Sequence, residues 1–126
     1  MHDTKYKVLM IDDEADIVSF FEKTFANFQH IDFHTALRAT QGIEIARKER
    51  PQIVMVDLRM PGMNGEEALK EMKTFLPQAK FIVMSGWDEG DTQKKLEDIG
   101  IAAFFKKPVD LEKVITKVMN LMMVKE

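Results

Sequence analysis

Three aspartates, a serine and a lysine in this chain are spaced so that together they could transfer a phosphoryl group. Asp12 and Asp13 follow the apolar run YKVLMI, Asp57 closes IVMVD, Ser85 closes KFIVMS, and Lys107 comes shortly after IAAFF. Each therefore sits where a buried segment reaches solvent. Three carboxylates drawn into one pocket repel each other and raise one another's pKa unless a cation neutralises them. With hard oxygen ligands and no His or Cys among them, Mg2+ is the favoured ion. Beside it Asp57 can act as a nucleophile and form an aspartyl phosphate. The metal, Lys107 and Ser85 would then hold the three equatorial oxygens of the moving group. The segment after Asp57, LRMPGMNG, carries the Pro and Gly that a tight metal-binding loop needs.

For these residues to meet, the elements that carry them must end on one rim. Strands are expected at 6–11, 31–36, 53–57, 80–85 and 101–105. Three of them are nearly continuous Ile, Val, Met, Leu or Phe, as strands buried on both faces require. Helical spacing separates them. Ile17, Phe20, Phe21, Thr24, Phe25 and Phe28 share one face of the first helix; Ala39, Ile43 and Ala46 mark the second, and Ala68, Leu69, Met72 and Leu76 the third. The fourth, around 91–99, is short and polar, with Leu96 and Ile99 as its apolar contacts. Asp110 is a good N-cap for the last, which has Glu112 in its first turn and Leu111, Val114, Ile115, Val118 and Met122 on one stripe. Strands alternating with helices imply right-handed crossovers and a doubly wound α/β fold of the flavodoxin-like kind, with five parallel strands in order 2-1-3-4-5 and five helices. The second strand, where Asp32 and His34 alternate with Ile31 and Phe33, reads as a sheet edge. Strands 1 and 3 flank the switch point, so Asp12, Asp13 and Asp57 should converge.

Composition agrees with one domain spanning 1–126. The 126 residues are 45% hydrophobic, and 18 Lys plus Arg against 21 Asp plus Glu leave a net charge of -3 without a long run of either sign. That balance asks for neither direct nucleic-acid contact nor an anionic membrane surface. The absence of Cys removes disulfides and thiolate metal sites. No segment has the apolar length of a membrane span or a signal peptide, which points to a cytoplasmic protein.

The segments VLMIDDE, VDLRMPGMNG, VMSG and FFKKP, in this order and each at a strand end, make the chain resemble a response-regulator receiver domain of bacterial two-component signalling, of the chemotaxis-regulator-like kind. The resemblance covers essentially the whole chain. It implies that Asp57 is the phosphoacceptor, that Asp12 and Asp13 organise Mg2+ with Asp13 as a direct ligand, and that the main-chain carbonyl of Arg59 is a further ligand. It makes Lys107 the active-site lysine and the Lys107–Pro108 bond a candidate for cis, a form realistic only before proline. It also implies a switch in which Ser85 moves toward the phosphoryl group and Phe104 swings into the vacated space. The chain would then be no enzyme in the ordinary sense, catalysing only its own phosphorylation and dephosphorylation. The implied partners are a sensor histidine kinase or phosphotransfer protein upstream, and an effector or output domain reached through helices 4 and 5.

Arg59 and Trp87 lie two residues beyond Asp57 and Ser85, so both, with Gly86, should flank the pocket and govern how water reaches it. The terminal VMNLMMV is more apolar than a solitary surface helix needs, because Met119 and Met123 extend its stripe onto a second face. A homodimer, a partner on this helix, or a receiver cut from a longer regulator would each account for it. Glu14 reads as the acidic first turn of a helix. Of Phe104 and Phe105, one should be core and the other near the surface. His2, His30 and His34 are too scattered for a metal site and read as surface or edge residues. The rival from another class is a pseudo-receiver that binds a partner without phosphate. A flavodoxin-like FMN binder lacks support because IDDEAD is acidic where a phosphate cradle needs amides and hydroxyls. A haloacid-dehalogenase-type phosphatase needs a second Asp at position 59, which is Arg.

Overall fold

The computed structural model describes residues 5–60, 64–86 and 90–123. Five strands, β1 (Tyr6–Ile11), β2 (Ile31–Ala36), β3 (Ile53–Asp57), β4 (Lys80–Ser85) and β5 (Ala103–Lys106), alternate with five helices, α1 (Ala15–Phe25), α2 (Ala39–Glu49), α3 (Gly65–Phe75), α4 (Gly90–Ile99) and α5 (Leu111–Met123). The strands form one parallel sheet in the order β2-β1-β3-β4-β5. The doubly wound arrangement expected from the alternation of patterns is the one observed, with β2 at an edge.

The continuous apolar runs follow from this layering. In β1, Leu9 and Ile11 face one side and Val8 and Met10 the other; β3 divides Val54 and Val56 from Ile53 and Met55, and β4 divides Phe81 and Val83 from Ile82 and Met84. Successive side chains of a strand point to opposite faces, so a strand covered on both needs apolar residues at every position. Ile43 and Ala46 of α2, Leu69 and Met72 of α3 and Leu96 of α4 close the first face. Val18, Phe21 and Phe25 of α1 with Val114 and Val118 of α5 close the second. Each of the Val, Leu, Ile, Phe and Met side chains among them, fully buried, contributes roughly 1.5–3 kcal/mol.

Two expectations change. On α1, Phe21 and Phe25 are buried as expected, and Ile17 and, beyond the helix end, Phe28 pack half-buried against the same core, but Phe20 is 56% exposed and Val18 joins the buried face in its place. Spacing alone admits both stripes; the way α1 lies on β1 and β2, where Phe25 stacks on Phe33 at 4.7 Å, selects one of them. The last strand covers 103–106 rather than 101–105. Its pairing with β4 begins at Ala103 opposite Ile82 and runs to Lys106 opposite Ser85, and this register sets the limits. No helix among the described residues is long and apolar enough to cross a membrane.

Candidate functional site

The C-terminal ends of β1, β3, β4 and β5 open on one rim. Asp57 is the last residue of β3 and only 4% exposed. The chain then folds back over it, and the Arg59 amide donates to Asp57 Oδ1 at 3.1 Å. Beyond residues 61–63, which lie outside the described residues, Asn64 caps α3 by accepting from the Glu67 amide at 2.8 Å. Gly65 brings the start of that helix hard against the strand end. Its amide donates to the Leu58 carbonyl at 3.0 Å, and a Cβ at this position would run into the Asp57 carbonyl oxygen and Leu58 Cα.

Asp12 follows β1 and is fully buried, its Oδ1 accepting from the Glu14 amide at 2.9 Å. Asp13 beside it is exposed. Ser85 ends β4 and is also fully buried. Lys107 follows β5, where its amide donates to the Ser85 carbonyl at 2.8 Å and its bond to Pro108 is cis. The Lys107 ammonium reaches three carboxylates, at 2.6 Å to Glu14 Oε1, 2.9 Å to Asp12 Oδ2 and 3.1 Å to Asp57 Oδ2. Burial works against its charge, yet the hydrogen bonds to Glu14, Asp12 and Asp57 prevail and hold its pKa well above the usual lysine value. For Asp12 the balance goes the other way. Burial raises its pKa, against the lowering effect of Lys107 and of the Glu14 amide. A single ammonium thus faces the carboxylates of Glu14, Asp12 and Asp57, so the site carries an excess of negative charge.

Oxygen atoms of Asp12, Asp13 and Asp57 all lie within 4.8 Å of one another. The donors are carboxylates alone, which fits a hard cation such as Mg2+ better than a softer one. The cleft over them has a volume of about 520 Å3 and is lined by Asp13, Glu14, Ile17, Asp57, Arg59, Gly86, Lys107 and Pro108. A larger cleft of about 770 Å3 lies near the C-terminal end of α1 and the start of β2. It lacks the convergent carboxylates and ammonium of the rim, so volume does not locate the chemistry here.

Asp12, Asp13, Asp57, Ser85 and Lys107 are thus gathered at the rim, with Arg59 and Gly86 on its border. Trp87 lies outside the described residues, as does the side chain of Met123. Phe104 and Phe105 point to opposite faces, Phe104 toward the α2–α3–α4 side and Phe105 toward the α1–α5 side, but both are half-buried. The expected contrast of core against surface is absent because β5 is the sheet's other edge, where each face is covered only in part. Glu14, expected as the acidic first turn of a helix, has a different role. It occupies the N-cap position of α1 without a side-chain cap bond, and turns its carboxylate to Lys107 instead. A third consecutive acid at a strand end was the available signal.

The family model described as "Response regulator receiver domain" matches residues 8–119. Sporulation initiation phosphotransferase F of Bacillus subtilis (strain 168) is 32% identical over 108 residues, 86% of each chain. Three other curated relatives are longer, and the chain spans only 23% to 54% of them. Among solved structures, a CheY-like response regulator receiver domain protein from Methanospirillum hungatei JF-1 superposes with a TM-score of 0.88 at 21% identity, covering 94% of both chains, a likeness of fold. A chain of the CheX-CheY-BeF3-Mg2+ complex from Borrelia burgdorferi matches at 26% identity with a TM-score of 0.86, over 97% of this chain and 92% of that one.

Proposed function

We propose, from the premise that this chain belongs to the response regulator receiver domain family, that it is a signalling switch which accepts a phosphoryl group on Asp57 and alters partner binding in consequence. The family is one of signalling domains, so the chemistry is performed on the protein itself. The observation that carries the reading is the buried Asp57 carboxylate, held between the Arg59 amide and the Lys107 ammonium beside Asp12 and Asp13.

In the proposed step a carboxylate oxygen of Asp57 attacks phosphorus. The P–N bond of a phosphohistidine breaks, and the imidazole departs with the electron pair and takes up a proton. With acetyl phosphate the P–O bond breaks and acetate leaves. Asp12, Asp13, Asp57 and the Arg59 main-chain carbonyl would hold Mg2+, with the Arg59 amide keeping that peptide against the carboxylate. When bound, Mg2+ supplies the positive charge that the acidic cluster lacks and that the equatorial oxygens need. Lys107 transfers its contact from the carboxylates to one of those oxygens, and the Ser85 hydroxyl donates to another. Arg59 and Gly86 border the opening, and with Trp87, which lies outside the described residues, they would limit the approach of hydrolytic water.

The readout proposed is a population shift, since a phosphoryl group favours whichever state contacts it better. Ser85 moves toward the phosphoryl group, and Phe104 leaves its half-buried position for the space released. Upstream stands a sensor histidine kinase or phosphotransfer protein in the cytoplasm. Downstream stands an effector or output domain recognising α4, β5 and α5, or a second copy of this chain.

Intact mass after incubation with acetyl phosphate, with and without Mg2+, tests the reading on this protein and on Asp57→Ala. The expected result is a gain of one phosphoryl group that requires both Mg2+ and Asp57. No gain in a folded, Mg2+-binding protein, with phosphohistidine donors also failing to transfer, would favour the phosphate-independent pseudo-receiver.

A further inference from the structure

A second group of potential metal ligands lies away from the rim. Asp32 and His34 sit two residues apart on β2 and so share a face, the one opposite Phe33, which packs toward α1. On that face the last residue of α2, Glu49, approaches them. One ligand atom from each of the three residues lies within 4.8 Å of the others. His34 Nε2 is 3.2 Å from Asp32 Oδ2 and 3.9 Å from Glu49 Oε1. Glu49 stands too far along the chain from Asp32 and His34 for the three to be linked by inspection, and the expectation that His34 is a plain surface or edge residue does not anticipate this grouping.

We propose that Asp32, His34 and Glu49 form a cation site for a divalent transition metal of the zinc class, with water completing the coordination. The donor set is one imidazole and two carboxylates, a combination that favours such ions over Mg2+ or Ca2+. The spacing agrees. Two ligands on one tetrahedral zinc at 2.0–2.2 Å stand roughly 3.3 Å apart, so the Asp32–His34 separation already fits and Glu49 must move closer to both. Independently, His34 Nε2 is fully shielded from solvent yet makes no hydrogen bond, although an Asp32 oxygen is within reach. A shared ion beside the Asp32 oxygen would bind that nitrogen and so satisfy an atom that the protein leaves without a hydrogen bond.

The local charge also favours a cation. Glu49 lies at the C-terminus of α2, where the helix dipole disfavours a carboxylate, and Asp32 adds a second negative charge. Two neighbouring cations are turned elsewhere, Arg47 to Glu71 at 3.2 Å and Arg50 to the Phe75 carbonyl at 2.8 Å. Lys7 reaches the cluster, 3.1 Å from Glu49 Oε1, and is 37% exposed, so it can swing out as the metal enters. In the β1–β2 register Lys7 lies opposite Asp32, near the start of both strands, whereas the phosphoacceptor rim is at the strand ends. The site is therefore separate from the acidic pocket and does not depend on the function proposed for it.

Calorimetric titration with zinc chloride in saturating Mg2+, repeated with Co2+ to read its visible absorption, tests the assignment. One equivalent of zinc should bind to the native protein and to Asp13→Asn. His34→Gln should weaken that binding at least tenfold, roughly the loss of one good ligand, with an unchanged far-UV circular dichroism spectrum. Lys7→Met should tighten it, because the competing ammonium is gone. Zinc uptake that survives His34→Gln but is lost in Asp13→Asn would place the metal at the rim and overturn the proposal. So would the absence of uptake at millimolar zinc, or weaker binding in Lys7→Met.

Discussion

The Lys107 ammonium lies 2.6 Å from the Glu14 carboxylate, closer than to Asp12 at 2.9 Å or Asp57 at 3.1 Å. In the proposed switch an exposed glutamate would thus compete with the phosphoryl group for the Lys107 ammonium. Glu14→Gln is expected to raise the rate of phosphorylation by acetyl phosphate several-fold. Because the Glu14 side chain is 54% exposed, its pairing should matter little for folding, and the melting temperature should change by no more than a few degrees. A slower reaction in the variant would show that Glu14 positions Lys107 rather than detaining it.

Mg2+ should stabilise the protein and should do so less in acid. Burial holds the Asp12 carboxyl above its usual 3.8, so the folded protein binds that proton more tightly than the unfolded chain does. The contribution of Asp12 to stability is therefore greatest at low pH and is lost as pH rises through its folded pKa. Mg2+ competes for the same site. Its affinity should fall as pH is lowered from neutral, with proton release on binding, measured by calorimetry in buffers of different ionisation enthalpy. At neutral pH and a hundredfold excess over Kd, Mg2+ should add roughly 2.7 kcal/mol. Lys107 behaves oppositely in range. Its pKa is raised in the folded state, so its stabilising contribution is present below the usual 10.5 and lost only in stronger alkali.

Gly65→Ala should cost about 1–3 kcal/mol in stability, since the added Cβ meets backbone that cannot rotate away. Chemical denaturation reads the loss. The same change pushes the start of α3 away from Asp57, so phosphoryl uptake should fall in the fraction that remains folded; unaltered uptake would separate the helix start from the site.

The buried stripe of α1 gives a paired prediction. Phe21→Ala should destabilise the fold by about 3–5 kcal/mol, as large core truncations do. Phe20→Ser, at a position 56% exposed, should stay within about 0.5 kcal/mol. Equal losses in urea denaturation would mean that Phe20 is covered in solution, as by a second copy of the chain.

Trp87→Ala is expected to shorten the lifetime of the aspartyl phosphate, because the position two residues beyond Ser85 should shield the pocket from water. Decay of the phosphorylated mass after removal of acetyl phosphate provides the test, and a lifetime unchanged or lengthened would reject that role.

The sheet and its rim were legible in the chain because both depend on local facts. Strands at 6–11, 53–57 and 80–85 could be delimited since burial on both faces demands unbroken apolar runs, 31–36 by its edge-strand alternation, and parallel strands must end on the same side. Asp12, Asp57, Ser85 and Lys107 stand just where those runs stop, so their convergence followed from connectivity. Tertiary structure decided what depends on the relative placement of whole elements. Helical spacing permitted Phe20 on the buried face, and the seating of α1 on the sheet excluded it. The limits of β5 came from its register with β4. Glu14 could serve the α1 terminus or the lysine across the cleft, and the distance from β5 to that helix settled the choice. The meeting of Asp32 and His34 with Glu49 required α2 to cross back over the edge strand, a contact between residues far apart in the chain that no local pattern encodes.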